Sequence, residues 1–336
     1  MVRLKDIAQA CGVSAATVSR ALNGRTDPEK KKTALILRKA KEMGYYPNTT
    51  ARTLKTSRSY NIGILYEDRL DHEYFSLLLN EIRFAAEDLG YDLTFIRRFY
   101  NENEGNYYDR ARQRNLDGVV VVQADFQSAD VMRLAAGSIP TVVIDHAYEG
   151  CDCVMCDNRG SLEQIVRAVW EKGHRRVAFI HGEDSTVTRE RLAGFYKACA
   201  ERGIRVPGSH VRPSHFHVPR DCAEQVKILM AENERPTCIL CPDDFSCLGA
   251  LDALEEMGLR APRDVSLVGY DGIRMTQLRR PRLTTYRQDA SSMAREAAAL
   301  LQEAIESPEA HEKRKITVSG VLIPGETLGP APETHP

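Results

Sequence analysis

Two regimes of apolar spacing divide the chain. At its start, Leu4, Ile7, Ala8 and Cys11 fall at i, i+3, i+4 and i+7, the spacing of one buried helix face. Gly12 ends that helix, and Ser14 is placed to cap a second one by accepting a free backbone N–H of its first turn. Val18, Ala21 and Leu22 supply the buried stripe of this second helix. Two short helices joined by a glycine-containing turn make a helix-turn-helix unit. A third helix is predicted from Asp27-Pro28, a cap followed by proline in the first turn, to Gly44, with Thr33, Ile36, Ala40 and Met43 facing inward.

From Asn61 the pattern changes. Short apolar runs at Ile62 to Tyr66, Leu93 to Ile96, Val119 to Val122 and Val142 to Ile144 alternate with amphipathic stretches, which is the periodicity of βαβ units and of a parallel sheet. After Asp157 it restarts with Val177 to Ile180, Ile239 to Leu240 and Val265 to Val268. The expected fold class is a small all-α helix-turn-helix head plus an α/β body of two similar parallel-sheet lobes.

Length and charge agree with this division. The chain has 336 residues of which 43% are hydrophobic, too many for one ordinary core. Its net charge of −1 conceals an asymmetry: residues 1–60 carry 13 Lys and Arg against 4 Asp and Glu, and the rest carry 33 against 43. A basic head on an acidic body points to a polyanion partner for the head. No basic, apolar leader opens the sequence and no apolar run reaches the roughly 20 residues of a membrane span, so a cytoplasmic protein is expected. Nine cysteines scattered through apolar segments fit a reducing compartment. Cys151, Cys153 and Cys156, and Cys238 and Cys241, raise a metal question that the four-ligand habit of zinc answers in the negative.

Candidate chemistry in the head lies on the second helix, which exposes Ala15, Ala16, Thr17, Ser19 and Arg20 on a face fit for a major groove. Of these, Arg20 alone can grip guanine bidentately. Lys30, Lys31 and Lys32 read equally as a solvated helix end or as phosphate contacts. In the body there is no G-x-G-x-x-G, P-loop, G-x-S-x-G or H-E-x-x-H, so an enzyme is not expected. His174 stands at a strand entry, and His210, His215 and His217 share one loop. An open three-histidine zinc site there is the sharper reading, but the histidines are read here as surface or structural groups. Neither cofactor nor metal is expected.

Leu4-Lys-Asp-Ile-Ala, Gly12-Val-Ser, Thr17-Val-Ser-Arg20, Leu22-Asn-Gly24 and Gly44-Tyr-Tyr-Pro-Asn48, followed by Ala51-Arg52 and Leu54, resemble the LacI/GalR family of bacterial repressors. The resemblance continues through Asp157-Asn158, Gly173-His174, Arg191-Leu-Ala-Gly-Phe195, Asp264 to Asp271 and Pro281 to Thr285. It implies a sequence-specific DNA-binding transcriptional regulator, a repressor, whose operator affinity is controlled by a small effector between the two lobes of a periplasmic-binding-protein-like body.

The implied organisation is a helix-turn-helix domain over 1–46, a hinge helix and linker over 47–60, an effector-binding and dimerisation domain over 61–329 and a tail over 330–336. Within the body, lobe 1 would hold about 61–157 and 289–318 and lobe 2 about 158–288 and 319–329, with the chain crossing near Asp157, Gln288 and Val318. The operator would be contacted by Leu4, Ser14, Ala15, Ala16, Thr17, Ser19, Arg20, Asn23 and Tyr45, and by the hinge residues Asn48, Ala51, Leu54 and Lys55. Leu54 would wedge between base pairs in the minor groove. The effector cleft would be lined by Tyr74, Phe75, Asp145, Arg191, Phe216, Asp243 and Asp271. Those side chains suit a sugar or sugar derivative, with donors from Arg191, acceptors from Asp145 and Asp271 and an aromatic cover from Phe75 or Phe216. A nucleobase, which other members bind, is the alternative.

Two positions depart from the family. Pro28-Glu-Lys-Lys-Lys-Thr-Ala34 replaces the usual lead into the third helix, and Asp243 stands where Asn is usual. A further carboxylate there favours a hydroxyl-rich ligand over a carboxylate or phosphate. The last residues, with Pro330-Ala-Pro332, carry no leucine heptad, so a homodimer is expected rather than a tetramer.

Overall fold

The computed structural model describes residues 2–22, 30–45, 56, 58–67, 72–96 and 106–332. Backbone proximity divides the chain into Met1–Tyr60 and Asn61–Pro336.

In the first unit, α1 (Leu4–Cys11), α2 (Ala15–Leu22) and α3 (Lys30–Glu42) enclose a small core of Ile7, Ala8, Val18, Ala21, Ile36 and Ala40. Gly12 sits in the left-handed region at φ 63°, where its N–H closes the end of α1 onto Ala8 and Gln9. Ser14 Oγ accepts the Thr17 N–H at 3.2 Å and caps α2. The expected start of α3 at Asp27-Pro28 lies outside the described residues.

The second unit holds two six-stranded sheets. The first runs β11 (Lys315–Val318), β5 (Asp152–Cys156), β4 (Thr141–Ile144), β3 (Gly118–Val121), β1 (Asn61–Leu65) and β2 (Asp92–Ile96), parallel throughout. The other runs β12 (Val321–Ile323), β10 (Thr284–Arg287), β9 (Ser266–Asp271), β8 (Cys238–Leu240), β6 (Val177–His181) and β7 (Val211–Pro213), with β12 antiparallel. Gly118–Val121, Thr141–Ile144 and Cys238–Leu240 are buried at every position, because helices cover both faces of a parallel sheet. The chain passes between sheets from β5 to β6, from β10 to β11 and from β11 to β12, at the three places expected near Asp157, Gln288 and Val318.

Helices begin where side chains satisfy their first free N–H groups. His72 caps α4 (Glu73–Asp88), Asn106 caps α5 (Tyr107–Gln113), Asp157 caps α7 (Asn158–Glu171), Ser185 caps α8 (Thr186–Glu201), Asp243 caps α10 (Asp244–Glu256) and Asp289 caps α12 (Ala290–Glu306). Between them lie α6 (Ala129–Ala135), α9 (Pro219–Met230) and α11 (Arg274–Leu278). No described helix is long and apolar enough to cross a membrane.

The cysteines are packing residues. Cys151, Cys153, Cys156, Cys199, Cys222, Cys238, Cys241 and Cys247 are free and buried. Burial pushes the Cys153 and Cys156 thiols up to about 12, far from a reactive thiolate.

Candidate functional site

The strands of both sheets point their C-terminal ends at one cleft, where ligands of open α/β folds bind. A cavity of about 780 Å³ lies there. From the first sheet come Tyr74, Gln123 to Gln127 after β3, and Asp145 and His146 after β4. From the second come Glu183 to Val187, Arg189 and Arg191, Phe216 and His217, Asp243 after β8 and Asp271 at the end of β9, with Gln288 at a crossing.

Arg191 projects from α8 and is 5% exposed. Its Nε donates to Asn158 Oδ1 at 2.9 Å and one terminal nitrogen donates to the Pro242 carbonyl at 3.0 Å. Its guanidinium carbon lies 3.4 Å from the centre of the Tyr270 ring and 5.5 Å from that of Phe216. Phe216 reaches this position because residue 182 is glycine: a Cβ there would stand 2.3 Å from the ring.

Seven carboxylates border the cavity with that guanidinium, among them Asp145, Asp243 and Asp271. Asp145, in the left-handed region at φ 63°, has one buried oxygen without a hydrogen-bond partner. Burial raises its carboxyl to about 6, with Arg191 and the Cys156 backbone working against the rise. Asp271, at φ 100°, accepts from Gln288 Nε2 at 2.8 Å, and burial raises it to about 7 against the pull of His217 and Arg191. Asp243 behaves differently: burial alone would raise it, but His217 and the Ser246 backbone hold it below the usual value. Its oxygens accept from Ser246 N at 2.8 Å, Ser246 Oγ at 2.7 Å and His217 N at 2.9 Å. The residue expected to offer the ligand an additional acceptor is therefore engaged in capping α10 and holding the 217 loop.

Of the seven expected lining residues, Tyr74, Asp145, Arg191, Phe216, Asp243 and Asp271 border the cavity. Phe75 does not. Its ring is 1% exposed and packs against Tyr66 and His72, because successive residues on a helix diverge by about 100° and Tyr74 takes the cavity side. Arg191 and Asp271 stand on the same lobe and form no ion pair; the partners of Arg191 are neutral oxygens and rings.

The histidines need a larger correction. His146 lines the cavity, accepts or donates at 2.9 Å to Thr186 Oγ1 and stacks on Phe126 with ring centres 4.7 Å apart. His217 lines it too. The three-histidine loop does not converge: His210 Nε2 faces the Glu234 carbonyl and His215 Nδ1 faces Asp221. The described residues whose potential ligand atoms do converge, all within 4.8 Å of one another, are His217, Asp243 and Asp271. His72, Gln123, His146, Thr186, His217 and Gln288 were not singled out for this site by sequence reasoning; only the crowding of aromatic and histidine residues at 215–217 hinted at it.

In the head, Ala16 and Arg20 are exposed and Ser14 is exposed beside them, whereas Leu4, Ala15 and Tyr45 are partly buried against the three-helix core. Thr17 and Ser19 are intermediate. Asn23, Asn48, Ala51, Leu54 and Lys55 lie outside the described residues.

A helix-turn-helix head and a two-lobed α/β body with a polar interlobe cavity define a ligand-responsive DNA-binding regulator. The comparisons agree. Residues 3–48 match the family described as bacterial regulatory proteins, lacI family, and residues 166–328 match the periplasmic binding protein-like domain. The chain is 30% identical over 311 residues to the HTH-type transcriptional repressor PurR of Pasteurella multocida (strain Pm70), covering 91% of this chain and 92% of that one. It is 30% identical over 338 residues to that of Escherichia coli O1:K1 / APEC, covering 99% and 98%. The fold matches the lac repressor dimer bound to operator and the anti-inducer ONPF, with a TM-score of 0.78 and 24% identity over 98% of this chain and 99% of that one. It also matches the transcriptional regulator CelR–cellobiose complex, with a TM-score of 0.71 and 23% identity over 97% and 100%. This chain belongs to the lacI family of bacterial regulatory proteins; it is a DNA-binding transcriptional regulator and not an enzyme.

Proposed function

We propose that this regulator is a cytoplasmic, homodimeric repressor whose operator affinity is set by a small, hydroxyl-rich effector, a sugar or sugar derivative, held in the interlobe cavity. The observation that carries this reading is that Arg191, Asp145 and Asp271 border one cavity. The guanidinium is oriented by neutral partners and Asp145 keeps one oxygen without a hydrogen-bond partner, so the cavity wall carries both donor and acceptor. Vicinal hydroxyls use both at once. The rings of Phe126 and Phe216 supply apolar faces for a sugar ring.

Charge narrows the choice. Seven carboxylates and two guanidiniums border the cavity, so an anionic ligand such as a sugar phosphate meets net repulsion. In the head, the second helix would read bases through Arg20, and the segment 48–55 would order on the operator, since a helix this short is marginal alone.

A calorimetric titration of the full chain with neutral pentoses, hexoses and disaccharides, and in parallel with nucleobases, tests the reading. Sugar binding that disappears in Arg191→Ala supports it. Binding confined to nucleobases would replace the sugar by the alternative ligand class.

A further inference from the structure

One line of contacts runs across the cleft beside the cavity and involves two histidines. His72 belongs to the first lobe, at the start of α4, and His217 to the loop after β7 in the second. Their rings stack with centres 4.0 Å apart and planes 14° from parallel. Each ring is held from behind. His72 Nδ1 accepts the Phe75 N–H at 3.2 Å, which fixes the first turn of α4 and so the cavity residue Tyr74; its Nε2 lies 2.8 Å from the Gln123 amide, also on the cavity wall. His217 stands in the left-handed region at φ 59°, kept there by its N–H bond to Asp243 at 2.9 Å, and its Nδ1 lies 3.5 Å from the other Asp243 oxygen. Next to the stack, Glu73 crosses the same cleft: its two oxygens accept the backbone N–H groups of Arg274 and Met275, at 2.6 and 3.1 Å, at the start of α11.

We propose that His217 is a positioning residue of the effector site, which joins the two halves of the cavity by stacking on His72 and so holds the lobes closed together with Glu73. The assignment rests on reading the cavity as the effector site. As long as His72 Nδ1 accepts from Phe75 it carries no proton, and His217 faces Asp243 and Asp271 on its other side. The stack is therefore anchored in both lobes, through the Phe75 N–H and Gln123 in the first and through Asp243 in the second.

Asparagine is a mild probe at both positions. It caps helices well, so His72→Asn keeps α4 capped, and it tolerates positive φ, so His217→Asn keeps the loop. Hydrogen–deuterium exchange on the full chain reads the cleft through the Arg274 and Met275 amides, with α7 as an internal control for folding. Each single variant should speed exchange at Arg274 and Met275 by about tenfold, a coupling usual for contacting side chains, and the double variant should add nothing further. Unchanged exchange in both single variants, or effects that add in the double, would overturn the latch. This readout needs no ligand, so it fails separately from the effector reading, which the Arg191→Ala titration decides.

Discussion

Arg191 lies on the face of Tyr270, 3.4 Å from the ring centre, and among the described residues takes no carboxylate within ion-pairing distance although Asp145, Asp243 and Asp271 share its cavity. A buried guanidinium is costly unless its N–H groups are met, and here two are met by Asn158 and the Pro242 carbonyl while the ring covers one face. The arrangement holds the fork rigid and leaves its other donors for a ligand. Arg191→Ala should therefore abolish the effector response, leave DNA binding intact and lower stability by about 1–3 kcal/mol through the stranded acceptors. Arg191→Lys should not restore the response, because an ammonium has neither the planar fork nor the flat face. Effector titrations and urea midpoints of the two variants check this; a response at the unchanged midpoint in Arg191→Ala would remove the residue from the site.

Asp145 and Asp271 make a pH prediction whose sign is set by burial. Both carboxyls are raised, to about 6 and about 7 from 3.8, so each favours the fold most when protonated. That contribution is complete below pH 3.8 and is lost as pH rises through about 6 for Asp145 and about 7 for Asp271. Asp145→Asn, an isostere that also tolerates positive φ, should stabilise the body by roughly 1–3 kcal/mol at pH 8 and hardly at all at pH 4. Melting temperatures at the two pH values measure it. A larger gain at the acid end would mean that the ionised carboxylate is the favoured form.

Asp243 separates capping from ligand binding. Its carboxylate meets Ser246 N, Ser246 Oγ and His217 N, and it is 1% exposed. Asp243→Ala loses the α10 cap and leaves buried donors unmet, a cost of about 2–4 kcal/mol. Asp243→Asn retains one acceptor oxygen for the Ser246 N–H but turns its NH2 toward the His217 N–H, and should cost less than the alanine. Denaturant midpoints for the pair test the assignment, and equal losses would show that the negative charge matters more than the cap.

The sequence made the architecture legible because period alone separates the head from the body: the inner positions Ile7, Val18, Ile36 and Ala40 are buried as the helical spacing requires, and the apolar runs became strands with ends no more than three residues away. The cavity was less legible. Asp145, Arg191 and Asp271 were placed there by the resemblance to the family, with the charges of Arg191 and Asp271 in a mainly apolar lobe as a second signal. Phe75 was misplaced because adjacent residues on α4 face different ways, and the distinction between Tyr74 and Phe75 depends on the rotation of the helix. The pairing of His72 with His217 escaped notice because a stack between residues far apart in sequence has no local spacing to betray it. Asp243 was read as a ligand group because a cap and a binding carboxylate look alike until the Ser246 N–H is seen to point at it.

The head yields a prediction about base reading. Arg20, near the end of α2, is exposed, while Val18 and Ala21 beside it are buried in the three-helix core, so the fold holds this arginine outward. Ala16 is also exposed, but a methyl group can offer a base pair only apolar contact, such as to a thymine methyl. Specificity under Ala16 should be loose and specificity under Arg20 strong. Arg20→Ala should cost about 1–3 kcal/mol per half-site and relax the choice at one base pair, through loss of a bidentate guanine contact. Leu54→Ala should weaken binding to the specific site while leaving non-specific, salt-sensitive binding almost unchanged, since that second component comes from Lys and Arg on phosphates and not from a wedge. Titrations on the selected operator and on a random duplex, each at two salt concentrations, distinguish the two effects. If Arg20→Ala weakened both duplexes equally and flattened the salt dependence by about one phosphate contact, Arg20 would be a backbone contact, and the direct reading of guanine would have to be assigned elsewhere on the head.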